Sequence, residues 1–191
     1  MQTIEDIIKD MPDKSEWKTT TTLDFKRHLH DFFNRDEFKD KKVVELGTAA
    51  GHTTRVLSFL FNKVTTIDIE DDGKSKILNA DRGGVSHKYC DIYSFPWWEE
   101  EQDAYAVFVD AVHKKDNVAL DIQNSLKIKN LKYLIFDDFG LFPEVKEAVY
   151  EAIVDNRIKP VCYIGQNKGS ECAHGRFLLD REGIICEVLD E

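Results

Sequence analysis

Residues 43–54 read Val43-Val44-Glu45-Leu46-Gly47-Thr48-Ala49-Ala50-Gly51-His52-Thr53-Thr54, and the predicted fold is built outward from this stretch. Its first four residues are an apolar run with one acid, which predicts a buried strand. Gly47 and Gly51 then predict a tight turn, and the amphipathic pattern that follows predicts a helix capped by Thr53 and Thr54. Such a turn lets a ligand approach the backbone closely and directs free N–H groups at it.

The glycine spacing of this turn bears on which nucleotide-like ligand it would accept. The dinucleotide fingerprint places glycines first, third and sixth, whereas Ala49 and His52 occupy the last two of these places here. The spacing therefore disfavours a nicotinamide oxidoreductase. A second apolar run, residues 64–67, ends in Asp68, whose carboxylate can accept from both hydroxyls of a ribose. The alternative is an ordinary strand–turn–helix unit with an incidental acid.

The composition of the chain is typical of one globular domain spanning residues 1–191. Its 191 residues are enough for a single sizeable core, and 42% hydrophobic with 32% charged residues fits a soluble protein. We find no apolar run of membrane-spanning length and no signal-peptide pattern at the start. The four cysteines have no Cys-x-x-Cys spacing, which predicts a reduced cytoplasmic protein without a zinc site.

The charge of the chain argues against a nucleic-acid partner. Asp and Glu number 36 against 26 Lys and Arg, so the net charge is −10. A strongly acidic chain repels phosphate backbones unless a local basic patch overrides the field. The basic stretches at 39–42 and 127–129 are both too short to provide one.

Helix patterns precede the first core strand, and β-type runs alternate with helix patterns after it. Residues 1–40 contain one amphipathic segment that Pro12 ends and another over residues 23–33. Further β-type runs are residues 85–90 before Asp91, 104–109 before Asp110, 133–136 before Asp137 and Asp138, and 161–164, 176–179 and 184–189 in the tail. This alternation predicts an α/β domain with a mostly parallel sheet.

Three acids follow two of these strands and are predicted to converge. Asp110, Asp137 and Asp138 would lie at the carboxyl ends of parallel strands, where ligand groups belong. Close carboxylates repel one another unless a positive charge compensates them, so a hard divalent cation such as Mg²⁺ is the simplest explanation. The alternatives are that Asp110 hydrogen-bonds the following helix and that one acid of the pair faces solvent.

The turn and the acid after the second strand resemble motif I and its following acid in class I S-adenosylmethionine-dependent methyltransferases. This resemblance implies a Rossmann-like three-layer sandwich with a mostly parallel, seven-stranded sheet that ends in a C-terminal antiparallel hairpin. It also implies S-adenosylmethionine as cofactor, with Glu45 supporting the loop, Asp68 on the ribose and Asp91 near the adenine. The residues implied for cofactor binding are Glu45, Gly47, Thr48, Gly51, Thr53, Asp68 and Asp91.

The acids after the fourth and fifth strands add a second resemblance. Asp-x-x-His at 110–113 and the pair at 137–138 resemble the magnesium-dependent O-methyltransferases of the catechol and caffeoyl-CoA types and the macrocin O-methyltransferase-like group. The likeness implies Asp110, Asp137 and Asp138 as ligands of Mg²⁺, with His113 and Asp110 as catalytic residues. His113 would be the base, although a lone histidine at a strand end is more often a structural hydrogen-bonder.

These likenesses imply methyl transfer to a hydroxyl of a small molecule, and they leave two alternatives open. One is a methyltransferase without a metal, and the other is a non-catalytic S-adenosylmethionine-binding module. The N-terminal helices of small methyltransferases tend to close over the cofactor, which makes Trp17 and Lys18 candidate lid residues. Trp97 and Trp98 are expected either to pack on a neighbouring helix or to contact the adenine.

Overall fold

A central β-sheet organises the computed structural model, which describes residues 2–13, 20–71, 73–172 and 176–189. The candidate lid residues Trp17 and Lys18 lie outside the described residues. The strands are β1 (Lys42–Leu46), β2 (Lys63–Asp68), β3 (Val85–Tyr89), β4 (Ala106–Val109), β5 (Tyr133–Phe136), β6 (Ile158–Ile164), β7 (Glu171–Cys172), β8 (Arg176–Phe177) and β9 (Gly183–Val188). Seven of these strands form one sheet in the order β3-β2-β1-β4-β5-β9-β6, and β7 pairs with β8 separately.

The direction of the strands confirms the predicted fold. β1 lies inside the sheet between β2 and β4 and runs parallel to both, while β3 and β5 continue the parallel pattern on either side. In the same sheet β9 runs against its neighbours, because it pairs antiparallel with both β5 and β6. The sheet is therefore mostly parallel and ends in a C-terminal antiparallel pair, so the carboxyl ends of β1 to β4 meet at one edge.

Helices cover both faces of the sheet. They are α1 (Ile4–Ile8), α2 (Leu23–Phe33), a 3₁₀ turn (Asp36–Phe38), α3 (His52–Leu60), α4 (Lys74–Leu78), α5 (Trp97–Glu100), α6 (Lys115–Ser125) and α7 (Pro143–Val154). One core unites α1, α2 and α3 with the sheet, and a second core unites α5, α6 and α7 with its other face. In the described part of the chain, no helix combines the length and the apolar character that crossing a membrane requires.

The tryptophan pair belongs to the second of these cores. Trp97 is fully buried, and its ring meets that of Trp98 edge-to-face at 6.2 Å. Neither side chain lines the cavity described below. Packing on neighbouring helices is therefore the role that the structure gives this pair.

The start of α2 is anchored to the far end of the chain. The Thr22 hydroxyl accepts from the Phe25 N–H at 3.0 Å and so caps the helix. The Thr22 N–H and hydroxyl in turn donate to the buried Glu182 carboxylate at 2.9 and 2.5 Å. Residues 22 and 182 thereby connect the N-terminal helices to the loop before β9.

The start of α3 differs from the sequence-based prediction. Gly51 is the N-cap residue, with φ of +79° and no side chain to cap the helix, so the prediction that Thr53 and Thr54 cap it was wrong. Both threonines are buried inside the first turn of the helix instead. The physical reason is that the left-handed glycine reverses the chain at once, and the Thr54 hydroxyl is used by a buried acid, Glu45.

Candidate functional site

A cavity of about 490 Å³ opens over the carboxyl ends of β1 to β4. Its volume lies in the range of small-molecule sites, and its place in the sheet is where open α/β folds bind ligands. The lining residues come from the glycine turn and from the loops after β2, β3 and β4. They are Gly47, Ala49, Ile67, Asp68, Ile69, Cys90, Asp91, Ile92, Tyr93, Asp110, Ala111, Val112 and Asn117.

The glycine turn needs both of its glycines. Gly47 has φ of +91°, and a Cβ there would lie 2.1 Å from the Asp110 carbonyl oxygen. Gly51 has φ of +79°, and a Cβ there would lie 2.1 Å from the Ser75 hydroxyl oxygen. At each position a side chain is therefore disfavoured for two reasons: the backbone has a positive φ, and a Cβ atom would clash with a neighbouring atom. Ala49 also has a positive φ, of 44°, so the whole turn is sharply bent.

We predict that Gly47→Ala destabilises the fold more than Gly73→Ala does. Gly73 has a similar φ of +73°, but a Cβ added there would meet nothing within 4 Å, so this position measures backbone strain alone. Gly73→Ala should cost about 1–2 kcal/mol of unfolding free energy, and Gly47→Ala roughly 2–5 kcal/mol because it adds a clash with fixed backbone. Urea unfolding of both variants measures the difference, and equal losses would contradict the close approach of Gly47 to the end of β4.

Glu45 lies behind the turn and does not line the cavity. The carboxyl group is fully buried, and both the Thr54 and Thr66 hydroxyls donate to its Oε2 atom at 2.5 Å. The Thr66 hydroxyl also lies 2.5 Å from the Thr48 hydroxyl. Burial raises the pKa of Glu45 to about 8, so the group is mostly protonated at neutral pH. This network holds β1, β2, the turn and α3 together.

Asp68 lines the cavity and also holds the turn in place. Its Oδ2 atom accepts from the Thr48 and Ala49 N–H groups at 2.8 and 3.0 Å, and its Oδ1 atom accepts from the Glu70 N–H at 3.2 Å. A carboxylate offers about four acceptor sites, so one remains for a ligand hydroxyl. A second ligand hydroxyl would have to replace a hydrogen bond from the turn.

The remaining residues predicted for cofactor binding divide into two groups. Asp91 lines the cavity and accepts from the Tyr93 N–H at 2.9 Å and the Ser94 hydroxyl at 3.1 Å, so its loop is locally fixed. Thr48, Gly51 and Thr53 lie outside the cavity lining. The Thr53 hydroxyl is 3.4 Å from that of Thr21, so it faces the segment that leads into α2.

Asp110, His113 and Asp138 come together at the edge of the cavity. The His113 Nε2 atom lies 3.3 Å from Asp110 Oδ1 and 3.2 Å from Asp138 Oδ2. Among the described residues these three form the group whose potential ligand atoms all lie within 4.8 Å of one another. The group contains His113 and not Asp137, the third ligand predicted from the sequence, which is buried and directly precedes Asp138.

Charge compensation explains how the acids of this group can lie so close together. Burial alone would lower the pKa of His113, but the hydrogen bond and charge of Asp110 and the charges of Asp138 and Asp137 outweigh it and raise the pKa to about 9. The imidazole ring therefore carries a positive charge at neutral pH. It stacks on Phe142, with centroids 4.6 Å apart and 22° between the ring planes.

Sequence reasoning missed several residues of the site. Phe142 carries no polar group, and its ring contact with His113 joins the N-cap of α7 to the loop after β4. Ile69, Val112 and Asn117 line the cavity without belonging to any motif. The position of Ile69 directly after Asp68 was the one available signal, since an apolar residue in a polar turn is unusual.

No protein-family model matches the sequence, and neither does any curated protein. Solved structures share the fold at low identity. A precorrin-6y methyltransferase from Geobacter metallireducens is 11% identical with a TM-score of 0.65, over 94% of this chain and 96% of that one. A tRNA methyltransferase from Aquifex aeolicus is 16% identical with a TM-score of 0.63, over 100% and 77%. An N-methyltransferase from Bradyrhizobium japonicum, in complex with S-adenosylhomocysteine, is 14% identical with a TM-score of 0.61, over 98% of each chain.

Proposed function

We propose that this chain is an S-adenosylmethionine-dependent methyltransferase that binds its methyl donor in the cavity over β1 to β4. The observation that carries the proposal is the lining of that cavity. The glycine turn, Asp68 and Asp91 follow β1, β2 and β3 in turn and face one ligand-sized space. The fold shared with solved methyltransferases supports the same function.

The apolar part of the cavity suits an aromatic base. Ile69 is 70% exposed and Val112 is 37% exposed, although both line a concave site. Ile92 and Tyr93 add further apolar surface next to the Asp91 carboxylate. Walls of this kind gain stability when a flat apolar group covers them, and one polar group at their edge fixes its orientation. An adenine ring meets both requirements.

The cofactor part of the proposal is tested by Asp68→Ala. The variant should bind S-adenosylhomocysteine more weakly by about 1–3 kcal/mol, because it removes a charged hydrogen bond to the ribose and loosens the turn. Isothermal titration calorimetry measures the change. Asp71→Ala is the matched control, since Asp71 is an exposed acid of the same loop outside the cavity lining. Equal affinity in wild type and Asp68→Ala would contradict the assignment.

We further propose that the acceptor is a hydroxyl group bound beside Asp110, His113 and Asp138. Asp110 lines the cofactor cavity and also belongs to this cluster, so it connects the donor site to a place where an acceptor can lie. The sulfonium methyl group is already activated, and the protein mainly has to hold a nucleophile in line with it. His113 accepts the hydroxyl proton after it has released its own proton to solvent.

A hard divalent cation such as Mg²⁺ suits the carboxylates of this cluster as ligands, but it does not suit the His113 imidazole. Asp110 and Asp138, with Asp137 as the predicted third ligand, offer the oxygen atoms that Mg²⁺ prefers, whereas imidazole suits softer ions. The assignment therefore keeps His113 as the base and the acids as ligands. An ion bound there would lower the pKa of the acceptor hydroxyl and compensate the acids.

Metal assistance and catalysis are tested together with labelled S-adenosylmethionine and a panel of small hydroxyl compounds. We expect turnover that EDTA removes and added Mg²⁺ restores. Full turnover in EDTA would favour a methyltransferase without a metal. Cofactor binding without turnover on any acceptor would favour a non-catalytic binding module.

A small acceptor fits the charge of the chain better than RNA does. The similar structure from Aquifex aeolicus is a tRNA methyltransferase, so an RNA acceptor has to be considered. The net charge of −10 opposes the approach of a phosphate backbone. Two of the acids that contribute to this charge, Asp110 and Asp138, lie at the edge of the cavity itself. We therefore place small molecules first in the acceptor panel.

A further inference from the structure

The hydroxyl group of Tyr93 joins three segments around the cavity. Tyr93 lies in the loop after β3, and its ring lines the cavity. Its hydroxyl donates a long hydrogen bond of 3.4 Å to Asp121 Oδ2 on α6 and also interacts with the Asn117 side chain and the Val112 main chain. Val112 and Asn117 also line the cavity, in the loop after β4 and at the start of α6. We call Tyr93, Val112, Asn117 and Asp121 the Tyr93 clasp.

The contacts of the clasp match the hydrogen-bonding capacity of a phenol. A tyrosine hydroxyl has one proton to donate and can accept two hydrogen bonds. Here the Tyr93 hydroxyl donates to Asp121. The Val112 N–H and the Asn117 amide can each donate a hydrogen bond to the Tyr93 oxygen. The hydroxyl thereby fixes the loop after β3 against the loop after β4 and against α6.

Asp121 has no evident role in the core that surrounds it. Its side chain is 1% exposed on α6, and among the described residues its Oδ1 atom has no hydrogen-bond partner. Burying a carboxyl group costs several kcal/mol unless its partners compensate it. Burial raises the pKa of Asp121 to about 7, and it also raises the pKa of Tyr93. Asp121 is a buried carboxyl group that destabilises the fold, and it contacts Tyr93, which lines the cavity. This combination suggests that Asp121 has a role in ligand binding.

We propose that the Tyr93 hydroxyl sets the width of the cavity at its adenine end and that Asp121 is the positioning residue that keeps this hydroxyl oriented. The inference rests on the proposed function, because the adenine end is the end of the cavity next to Asp91. The clasp holds the Tyr93 ring and Val112 at a fixed separation, which preorganises the two walls between which the base lies. Preorganised walls bind more tightly because no ordering cost arises on binding.

The test is calorimetry with two probes, S-adenosylhomocysteine and adenosine. Tyr93→Phe keeps the ring and removes the clasp, so it should weaken both probes by the same factor, about tenfold. Tyr150→Phe is the matched control, since it removes a half-exposed hydroxyl on α7, outside the cavity lining. Asp121→Asn keeps an acceptor oxygen and should bind within about twofold of wild type, whereas Asp121→Leu should resemble Tyr93→Phe.

The possible results separate this inference from the proposed function. If wild type binds both probes and Tyr93→Phe binds them equally well, the proposed role of the Tyr93 clasp is wrong, whereas the proposed function is unaffected. If wild type binds adenosine but not S-adenosylhomocysteine, and Tyr93→Phe weakens adenosine, the clasp stands and the methyl donor is wrong. If wild type binds neither probe, both fail. A lower melting temperature in Tyr93→Phe with unchanged affinities would show a purely structural hydroxyl and would also overturn the inference.

Discussion

His113→Gln is expected to lower the rate of methyl transfer by about 100- to 10,000-fold, the usual contribution of a general base. Affinity for S-adenosylhomocysteine should stay within about twofold of wild type, because His113 does not line the cofactor cavity. Glutamine retains a polar group next to Asp110 and Asp138 but cannot take a proton. Initial rates with labelled S-adenosylmethionine, on an acceptor found in the panel, measure the effect.

The control for this variant is His30→Gln, which changes a histidine on α2 outside the cavity and the cluster. It should leave the rate unchanged. A His113→Gln rate within about threefold of wild type would reject the base role, since even a weak general base contributes more than that. A parallel loss of cofactor affinity would instead assign His113 to the binding of the methyl donor.

Glu45→Gln is expected to reduce the pH dependence of stability by several kcal/mol. The pKa of Glu45 rises from 4.5 in a free side chain to about 8 in the fold, so the folded state keeps a proton that the unfolded chain releases. Stability therefore falls as pH rises from about 4.5 to about 8, by on the order of 3–6 kcal/mol for this group. A neutral glutamine of the same shape removes that contribution.

Urea unfolding at pH 5 and pH 8.5 tests this prediction, with the surface substitution Glu99→Gln as control. The slope will not vanish in Glu45→Gln, because the raised pKa values of Asp121 and His113 act in the same direction. The pKa of Asp121 is raised from 3.8 to about 7 and that of His113 from 6.5 to about 9, so each group lowers the stability as pH rises through its interval. Equal slopes in wild type and Glu45→Gln would show that Glu45 is not protonated in the fold.

Local patterns predict the elements of this fold well where a short-range signal marks the boundary. Residues 23–33 and 133–136 form α2 and β5 at the expected bounds. At the start of α2 the apolar pattern coincides with a residue that favours the N-cap position, Thr22. The start of α3 shows the limit, because Gly51 and Thr53 both signal a helix start and only the backbone conformation decides between them.

The candidate site depends on the orientation of individual side chains, which the sequence patterns do not predict. Asp137 and Asp138 are adjacent and equally plausible ligands, but Asp138 has φ of 57°, which turns its side chain toward His113. Tyr93 and Asp121 meet only because α6 folds back beside the loop after β3, and no pattern relates residues this far apart. Motifs therefore predict that acids at the strand ends converge, whereas the choice of Asp138 over Asp137 as the neighbour of His113 depends on the backbone conformation.

Titration of the wild-type protein with S-adenosylhomocysteine by calorimetry tests the central claim most directly, with NAD⁺ as the competing nucleotide. We predict binding of one S-adenosylhomocysteine per chain and no binding of NAD⁺, because the turn lacks the glycine spacing that a dinucleotide requires. A titration without heat at several temperatures, or binding of NAD⁺ in place of S-adenosylhomocysteine, would contradict the account.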